Sequence, residues 1–187
     1  AVKRDFVEAP SQMLENWVWH KEGLRRLSKH YQSGNPLPDE LIQRLVRLRK
    51  VNLGLDTLRQ VFYASVDLHY HTLKTVERID SNIPYFKLFE SITMVPTLRN
   101  TCPAAGFGHL MGGYDAGYYG YLWSKVFAQD MFTRFEKEGL FSSKTGMDYR
   151  RWILEPGGSR DPEELISKFL GRKPNNQAFM KQFIHSR

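Results

Sequence analysis

Tyrosine side chains beside a glycine-rich run are the groups of this sequence whose type and spacing could support chemistry. Tyr118 and Tyr121 follow Gly117 and lie three residues apart, so a helix would carry both on one face. A phenol hydroxyl can donate a hydrogen bond to a negative oxygen that develops during a reaction. By residue type alone, tyrosines in such positions are more often core or interface aromatics. The spacing by itself therefore leaves both interpretations open.

The six histidines do not form a complete metal site at the level of sequence. No two of them have the i, i+4 spacing with which imidazoles on one helical face bind one zinc ion, and His69 and His71 would diverge on a helix. The sequence also has no G-x-S-x-G nucleophile motif and no Gly-Lys-Ser/Thr phosphate loop. The single cysteine, Cys102, excludes an internal disulfide and a thiolate-rich zinc finger, and is typical of a reducing compartment.

Apolar residues recur at helical spacing along nearly the whole chain, whereas strand-like alternation is almost absent. The run Asp161-Pro162-Glu163-Glu164 is typical of a helix start, with an N-cap acid, proline in the first turn and glutamate at the third position. We therefore predict an all-α fold and a single, mostly helical domain over residues 1–187. The predicted helices lie near 10–31, 38–50, 53–72, 84–92, 117–138, 145–154, 162–170 and 176–185.

One segment, from Pro96 to Gly117, interrupts this pattern with two prolines and five glycines. It is predicted to be a loop, and a loop of about 20 residues inside a helical domain is usually functional or mobile. The chain is thus expected to consist of helices over 1–95, this loop over 96–117, and further helices over 118–187.

The net charge of +7, from 27 basic and 20 acidic residues, would suit nucleic acid or an acidic protein as a partner. The densest basic stretch, Lys21 to Lys50, instead alternates its charges with leucine, isoleucine and valine as the solvated face of an amphipathic helix does. Aromatic residues are not interleaved with these charges, as binding to single strands would require. We predict no nucleic-acid partner, and no membrane partner, because no apolar run approaches the ~20 residues of a membrane span.

Two long segments carry a resemblance to a known family. Residues 5–17 read D-F-V-E-A-P-S-Q-M-L-E-N-W, and residues 107–124 read F-G-H-L-M-G-G-Y-D-A-G-Y-Y-G-Y-L-W-S. The first resembles the segment that follows the H-E-x-x-H helix in the thimet oligopeptidase, neurolysin and saccharolysin family of zinc oligopeptidases. The second resembles the substrate-facing glycine-tyrosine loop of that family. The similarity covers essentially the whole chain.

The resemblance implies that this chain is the C-terminal helical portion of a zinc metalloendopeptidase that hydrolyses short oligopeptides. It makes Glu8 the third ligand of one zinc ion. The two histidine ligands and the general-base glutamate of the H-E-x-x-H motif would lie upstream, in the N-terminal remainder of the peptidase. Since catalytic zinc normally keeps three protein ligands, we expect the chain alone to be inactive.

The resemblance further assigns Tyr118 and Tyr121 to catalysis, as donors to the oxyanion or the substrate carbonyl. It places His109 and Tyr114 near the substrate, on a loop whose glycines could let it close over a peptide. The expected partners are short peptides and the N-terminal remainder, and the expected location is the cytoplasm, with the mitochondrion as an alternative. The competing hypothesis is a non-catalytic basic helical module that binds an acidic protein or nucleic acid.

Overall fold

A computed structural model of the chain describes residues 1–74 and 80–184. Within these residues the chain forms α-helices, short 3₁₀ turns and one π turn, and no strand, so the predicted all-α fold is confirmed. The helices are α1 Ala9–Leu14, α2 Lys21–Leu27, α3 Asp39–Leu48, α4 Leu53–His71, α5 Asn82–Thr93, α6 Gly120–Glu138, α7 Ser143–Tyr149, α8 Pro162–Leu170 and α9 Gln177–Lys181. None of these helices combines the length and apolar character needed to cross a bilayer.

The prediction of one helix over 10–31 is wrong. Helix α1 passes into a 3₁₀ turn over Glu15–Trp19, His20 has extended backbone angles, and α2 then ends at Leu27. Gly23 permits the close approach of α2 to the preceding turn that accompanies this break, because a Cβ atom at this position would lie only 1.8 Å from the carbonyl oxygen of Trp17. His20 accepts a hydrogen bond from the Glu22 amide and so caps α2.

Other boundaries differ by a few residues. The predicted helix 117–138 begins at Gly120, and the segment before it contains 3₁₀ turns over Pro103–Gly106 and Gly108–Met111. The predicted helix 145–154 is α7 followed by a π turn over Arg150–Leu154. The last predicted helix, 176–185, is seen as α9, and its residue 185 lies outside the described residues.

The chain separates into two compact units. The terminal unit comprises Ala1–Leu53 and Trp123–Arg187, and the central unit comprises Gly54–Leu122. The boundary between Leu122 and Trp123 falls within helix α6. A single domain over 1–187 stays a prediction.

The core of the terminal unit is built from α1, α6, α7 and α8. Trp17 packs edge-on against Phe132 and Phe135, with ring centroids 5.0 and 4.9 Å away, and its indole N–H donates to the carbonyl of Leu140 over 3.0 Å. These contacts are of the kind that aromatic pairs favour in cores. The buried residues of this core include Phe6, Ala9, Met13, Ala128, Met131, Phe132, Phe135, Leu140, Tyr149, Ile153, Leu165, Ile166 and Phe169.

A buried carboxylate ties α6 to the segment before α9. Asp130 is 1% exposed, and its two oxygens accept hydrogen bonds from both terminal nitrogens of Arg172 at 2.5 and 2.9 Å. The backbone N–H of Asn175 donates to the same carboxylate over 2.8 Å. A bidentate guanidinium and an amide thus replace the water that Asp130 loses on folding.

The core of the central unit is mainly aromatic. Phe62 of α4 meets the rings of Tyr85 and Phe89 of α5 nearly edge-on, with centroids 4.8 and 5.1 Å apart. Tyr118, a predicted functional residue, is itself a member of this core. The buried members are Phe62, Val66, Tyr85, Phe86, Ala104, Phe107, Leu110 and Tyr118.

Replacing Gly23 by alanine tests the close approach in the terminal unit. The added Cβ atom would overlap a backbone carbonyl, which cannot rotate away, so the free energy of unfolding should fall by about 3 kcal/mol. Gly146→Ala is the matched control, because Gly146 lies within α7 and its Cβ would meet nothing within 4 Å. That substitution should stabilise by about 0.5–1 kcal/mol. Urea unfolding of both variants checks this, and equal midpoints would contradict the packing described for Gly23.

Candidate functional site

The residues predicted for the site fall into both units. His109, Tyr114, Tyr118 and Tyr121 belong to the central unit, whereas Glu8 belongs to the terminal unit. His109 lies on the 3₁₀ turn Gly108–Met111, Tyr118 lies in the turn before α6, and Tyr121 lies in the first turn of α6.

The four residues of the central unit form one group of contacting rings, which we call the tyrosine cluster. The ring of His109 lies 5.7, 5.1 and 5.7 Å from those of Tyr114, Tyr118 and Tyr121, measured between centroids. Tyr114 and Tyr121 are stacked at 5.2 Å with an interplanar angle of 19°. Residues up to twelve positions apart in the sequence are thus brought to one place.

Tyr118 and Tyr121 lie side by side, as their spacing predicts, although Tyr118 is not in the helix. Their ring centroids are 4.9 Å apart. The Tyr121 amide donates to the carbonyl of Tyr118, and the Gly120 amide donates to that of Gly117, each over 3.1 Å. These i to i+3 bonds form a tight turn, and residues three apart eclipse in such a turn.

The two phenol hydroxyls have different surroundings. The hydroxyl of Tyr118, a residue 8% exposed, donates to the Oε1 atom of Gln60 over 3.1 Å. Burial raises the pKa of the Tyr118 phenol, and the nearby Tyr63 acts in the same direction. The hydroxyl of Tyr121 lies 3.4 Å from Nε2 of His109, and the tautomer of the imidazole decides which of the two donates. Tyr118 is therefore a protonated donor at neutral pH.

A cleft of about 620 Å³ opens beside the tyrosine cluster, within the size range of small-ligand sites. His109, Tyr114 and Tyr118 contribute to its wall, together with the aromatic rings of Tyr63, Tyr85 and Phe107. Three glycines, Gly106, Gly108 and Gly112, also line it. The predicted substrate-side residues thus border an open space with aromatic walls and exposed backbone.

A buried carboxylate outside the predicted site residues supports this cluster. Asp67 of α4 is 1% exposed, and its oxygens accept the backbone N–H groups of Ala116 over 3.1 Å and Tyr118 over 2.9 Å. The Nδ1 atom of His71 lies 2.9 Å from the same carboxylate. The sequence pattern that could have pointed to Asp67 is its spacing from Gln60 and Tyr63, because residues at i, i+3 and i+7 share one face of a helix.

Glu8 lies at the N-cap position of α1 and is half-buried. The Ser11 hydroxyl donates to its carbonyl over 3.0 Å and lies 3.5 Å from its Oε2 atom. Within residues 1–74 and 80–184, no three histidine, cysteine, aspartate or glutamate side chains are grouped so that they could hold a metal ion. These residues therefore do not make a complete zinc site, and Glu8 could supply one ligand at most.

Comparison with known proteins decides the family. The sequence model of peptidase family M3 matches residues 1–184. The chain belongs to peptidase family M3. The family suggested by the two sequence motifs is thereby confirmed, and residues 5–17 and 107–124 both lie inside the matched region.

Individual relatives agree with this assignment. The M3 chain is 42% identical to saccharolysin of Saccharomyces cerevisiae over 187 residues, 97% of this chain and 26% of that protein. It is 38% identical to a thimet-like oligopeptidase of Dictyostelium discoideum over 97% of this chain and 27% of the relative. Oligopeptidase A of Escherichia coli is 37% identical over 96% of this chain and 27% of its own length. The M3 chain thus spans about a quarter of the length of these relatives.

The titration of Tyr118 should follow from its burial. Its pKa lies above the ordinary value of about 10, so the folded state holds this proton more strongly than the unfolded chain does. The resulting stability is complete below pH ~10 and is lost as the pH rises through the folded-state pKa. The measurement is the ultraviolet absorbance of phenolate as the pH is raised, for the wild type and for Tyr118→Phe. The difference between the two curves is the signal of Tyr118, and it should appear only above pH ~10.

A short unstructured peptide that contains one tyrosine is the control, because its phenol has the ordinary pKa of about 10. The signal that Tyr118→Phe removes should appear at higher pH than the phenolate signal of this peptide. A Tyr118 phenolate that forms at the same pH as that of the peptide would contradict the buried position.

Proposed function

We propose that the M3 chain is the C-terminal portion of a zinc metalloendopeptidase that hydrolyses peptide bonds in short oligopeptides. The observation that carries the proposal is the tyrosine cluster: four residues selected from the sequence meet beside one cleft, in a chain that belongs to a peptidase family. The names of the relatives, saccharolysin and oligopeptidase A, support a peptide substrate. The proposed location remains the cytoplasm, with the mitochondrion as the alternative.

In this proposal Glu8 supplies one ligand to a single zinc ion. The other two protein ligands, both histidines, and the general base come from the part of the peptidase that precedes this chain. A carboxylate oxygen is a suitable zinc ligand, and bound zinc supplies Lewis acidity toward a peptide carbonyl. Since no three potential metal ligands are grouped together within residues 1–74 and 80–184, a three-ligand site at Glu8 would need ligands from outside these residues.

The tyrosine cluster would act on the substrate. The hydroxyls of Tyr118 and Tyr121 would donate hydrogen bonds to the peptide carbonyl oxygen, and these hydrogen bonds would strengthen as negative charge develops on that oxygen. Both hydroxyls now have neighbours, the Gln60 amide and the His109 imidazole, which a substrate oxygen would have to replace. His109 and Tyr114 would contact the substrate from the wall of the cleft.

The alternative of a basic binding module has less support. In the basic stretch, Arg25 pairs with Asp39 and Arg44 pairs with Glu40, each at 2.6 Å. Such pairs are typical of a solvated helical surface and leave fewer free cations for phosphates. The peptidase proposal accounts for both long motifs, whereas a charge-based module accounts for neither.

The 187-residue chain by itself should not hydrolyse peptides, because it lacks two zinc ligands and the general base. A quenched fluorescent peptide incubated with the pure chain and added zinc should give no more product than buffer with zinc. The intact peptidase is the positive control. Turnover by the chain alone that a chelator abolishes would contradict the proposed division of the zinc site.

In the intact peptidase, Tyr121→Phe should lower kcat much more than it raises KM. The substitution removes one hydroxyl and little volume, and the loss of one oxyanion donor typically lowers the rate by about 10²–10³. Zinc content should stay at one ion per chain. An unchanged kcat at full zinc occupancy would rule out the donor role of Tyr121 and leave Tyr118 as the tyrosine donor.

Glu8→Gln provides the contrast to Tyr121→Phe. A neutral amide is a weaker zinc ligand than a carboxylate, so both zinc content and rate should fall together. Metal analysis of the purified proteins separates the two effects. Full zinc occupancy in Glu8→Gln would show that Glu8 is not a ligand.

A further inference from the structure

We propose that Asp67 is a positioning residue for the tyrosine cluster: its carboxylate fixes the main chain at Ala116 and Tyr118 and thereby sets where the Tyr118 hydroxyl lies. The inference rests on the proposed function, because it assigns Asp67 an effect on catalysis through Tyr118. It concerns a residue that neither motif contains, since Asp67 lies on α4, about 50 positions before Tyr118.

One face of α4 contacts Tyr118 along the whole length of that residue. Asp67 accepts the Tyr118 amide over 2.9 Å, Tyr63 packs against the ring with centroids 5.3 Å apart, and Gln60 accepts the hydroxyl proton over 3.1 Å. These residues of α4 are spaced at i, i+3 and i+7, so they lie in one row along the helix. The position of Tyr118 is thus determined from its backbone to its hydroxyl by one rigid element.

The chemistry of this contact requires a carboxylate. Each oxygen of Asp67 accepts one backbone N–H, from Ala116 at Oδ1 and from Tyr118 at Oδ2. An asparagine would offer only one oxygen and would turn its own N–H₂ group toward the second amide. One of the two loop amides would then lose its acceptor, and for the buried Tyr118 amide that loss is costly.

The backbone at Ala116 gives an independent reason to expect a strong anchor. Ala116 has φ of +53°, in the left-handed region that alanine rarely adopts. Such a conformation persists only where the surroundings hold it in place. The hydrogen bond from the Ala116 amide to Asp67 supplies a restraint at this residue.

His71 completes the anchor on the same helix. Its Nδ1 atom lies 2.9 Å from Oδ1 of Asp67 and 2.8 Å from the carbonyl oxygen of that residue. Both of these oxygens are acceptors, whereas the Ala116 amide also approaches Nδ1, at 3.4 Å, so the tautomer of the imidazole decides which of these hydrogen bonds forms. The imidazole therefore contacts both the Asp67 carboxylate and one of the loop amides that this carboxylate holds.

The decisive experiment compares Asp67→Asn with Asp130→Asn in the intact peptidase. Both aspartates are 1% exposed, and both accept a backbone N–H, but Asp130 bonds to Arg172 and Asn175 and not to the loop. Both variants should unfold at lower urea concentration. Without urea, where both variants are folded, only Asp67→Asn should lower kcat. The expected loss is about 10- to 100-fold, because a displacement of the Tyr118 hydroxyl by about 1 Å can reduce the rate by that amount.

A double variant tests whether Asp67 acts through Tyr118. If it does, Asp67→Asn in the Tyr118→Phe background should lower kcat little further, so the fold-loss of kcat in the double variant should be much smaller than the product of the two single fold-losses. A fold-loss in the double variant equal to that product would overturn the inference. A kcat for Asp67→Asn no lower than that of Asp130→Asn would also overturn it, whereas an unchanged kcat in Tyr118→Phe would overturn the proposed role of Tyr118 instead.

Amide hydrogen exchange of the wild-type chain keeps the inference testable if Asp67→Asn fails to fold. The amides of Ala116 and Tyr118 lie in a turn, and the acceptor that both share is the Asp67 carboxylate. Both should exchange much more slowly than the amides of an unfolded peptide, and at rates similar to each other. Exchange of the Ala116 and Tyr118 amides at the rate of an unfolded peptide would show that the anchor does not form.

Discussion

The burial of the Asp67 carboxylate is the constraint on which the geometry of the central unit depends. A charged group that loses its water must find hydrogen-bond donors, and here two amides of the glycine-tyrosine loop donate, with the His71 imidazole 2.9 Å away. Because the amides belong to the main chain, satisfying the charge also fixes the path of the loop. The ring of Tyr118 then packs on Phe107 at 5.2 Å and on His109 at 5.1 Å, so the remaining cluster is assembled around it.

The two units satisfy a buried aspartate in different ways. Asp130 is held mainly by a guanidinium on a long side chain, a contact that joins two segments and still tolerates small shifts of either backbone. Asp67 is held by amides, which have no side-chain freedom and therefore transmit any displacement directly to the loop. The first arrangement joins α6 to the segment before α9, and the second fixes the backbone of the loop that leads into Tyr118.

The sequence predicted the helical class and the grouping of His109, Tyr114, Tyr118 and Tyr121, because periodicity and motif similarity are local signals. It failed over 10–31, where the apolar spacing continues through a break at which α2 approaches the Trp17 carbonyl so closely that only glycine fits at position 23. It also missed Asp67, since a single acid within a helix is ordinarily a solvated residue. Its role follows from a partner about 50 positions away, a distance that no pattern of spacing within one helix can reveal. The ligand role of Glu8 stays a prediction for the corresponding reason, because its partners would come from outside this chain.

The glycines along the cleft also determine how its shape could be remodelled. Cβ atoms on Gly106 or Gly108 would meet nothing within 4 Å, whereas one on Gly112 would lie 2.9 Å from the carbonyl oxygen of Gly108. Two positions on the wall can therefore carry a side chain without disturbing the backbone, and the third cannot. For protein engineering, Gly106 and Gly108 are positions at which a substitution can narrow the cleft or add a charge to it while the tyrosine cluster keeps its place.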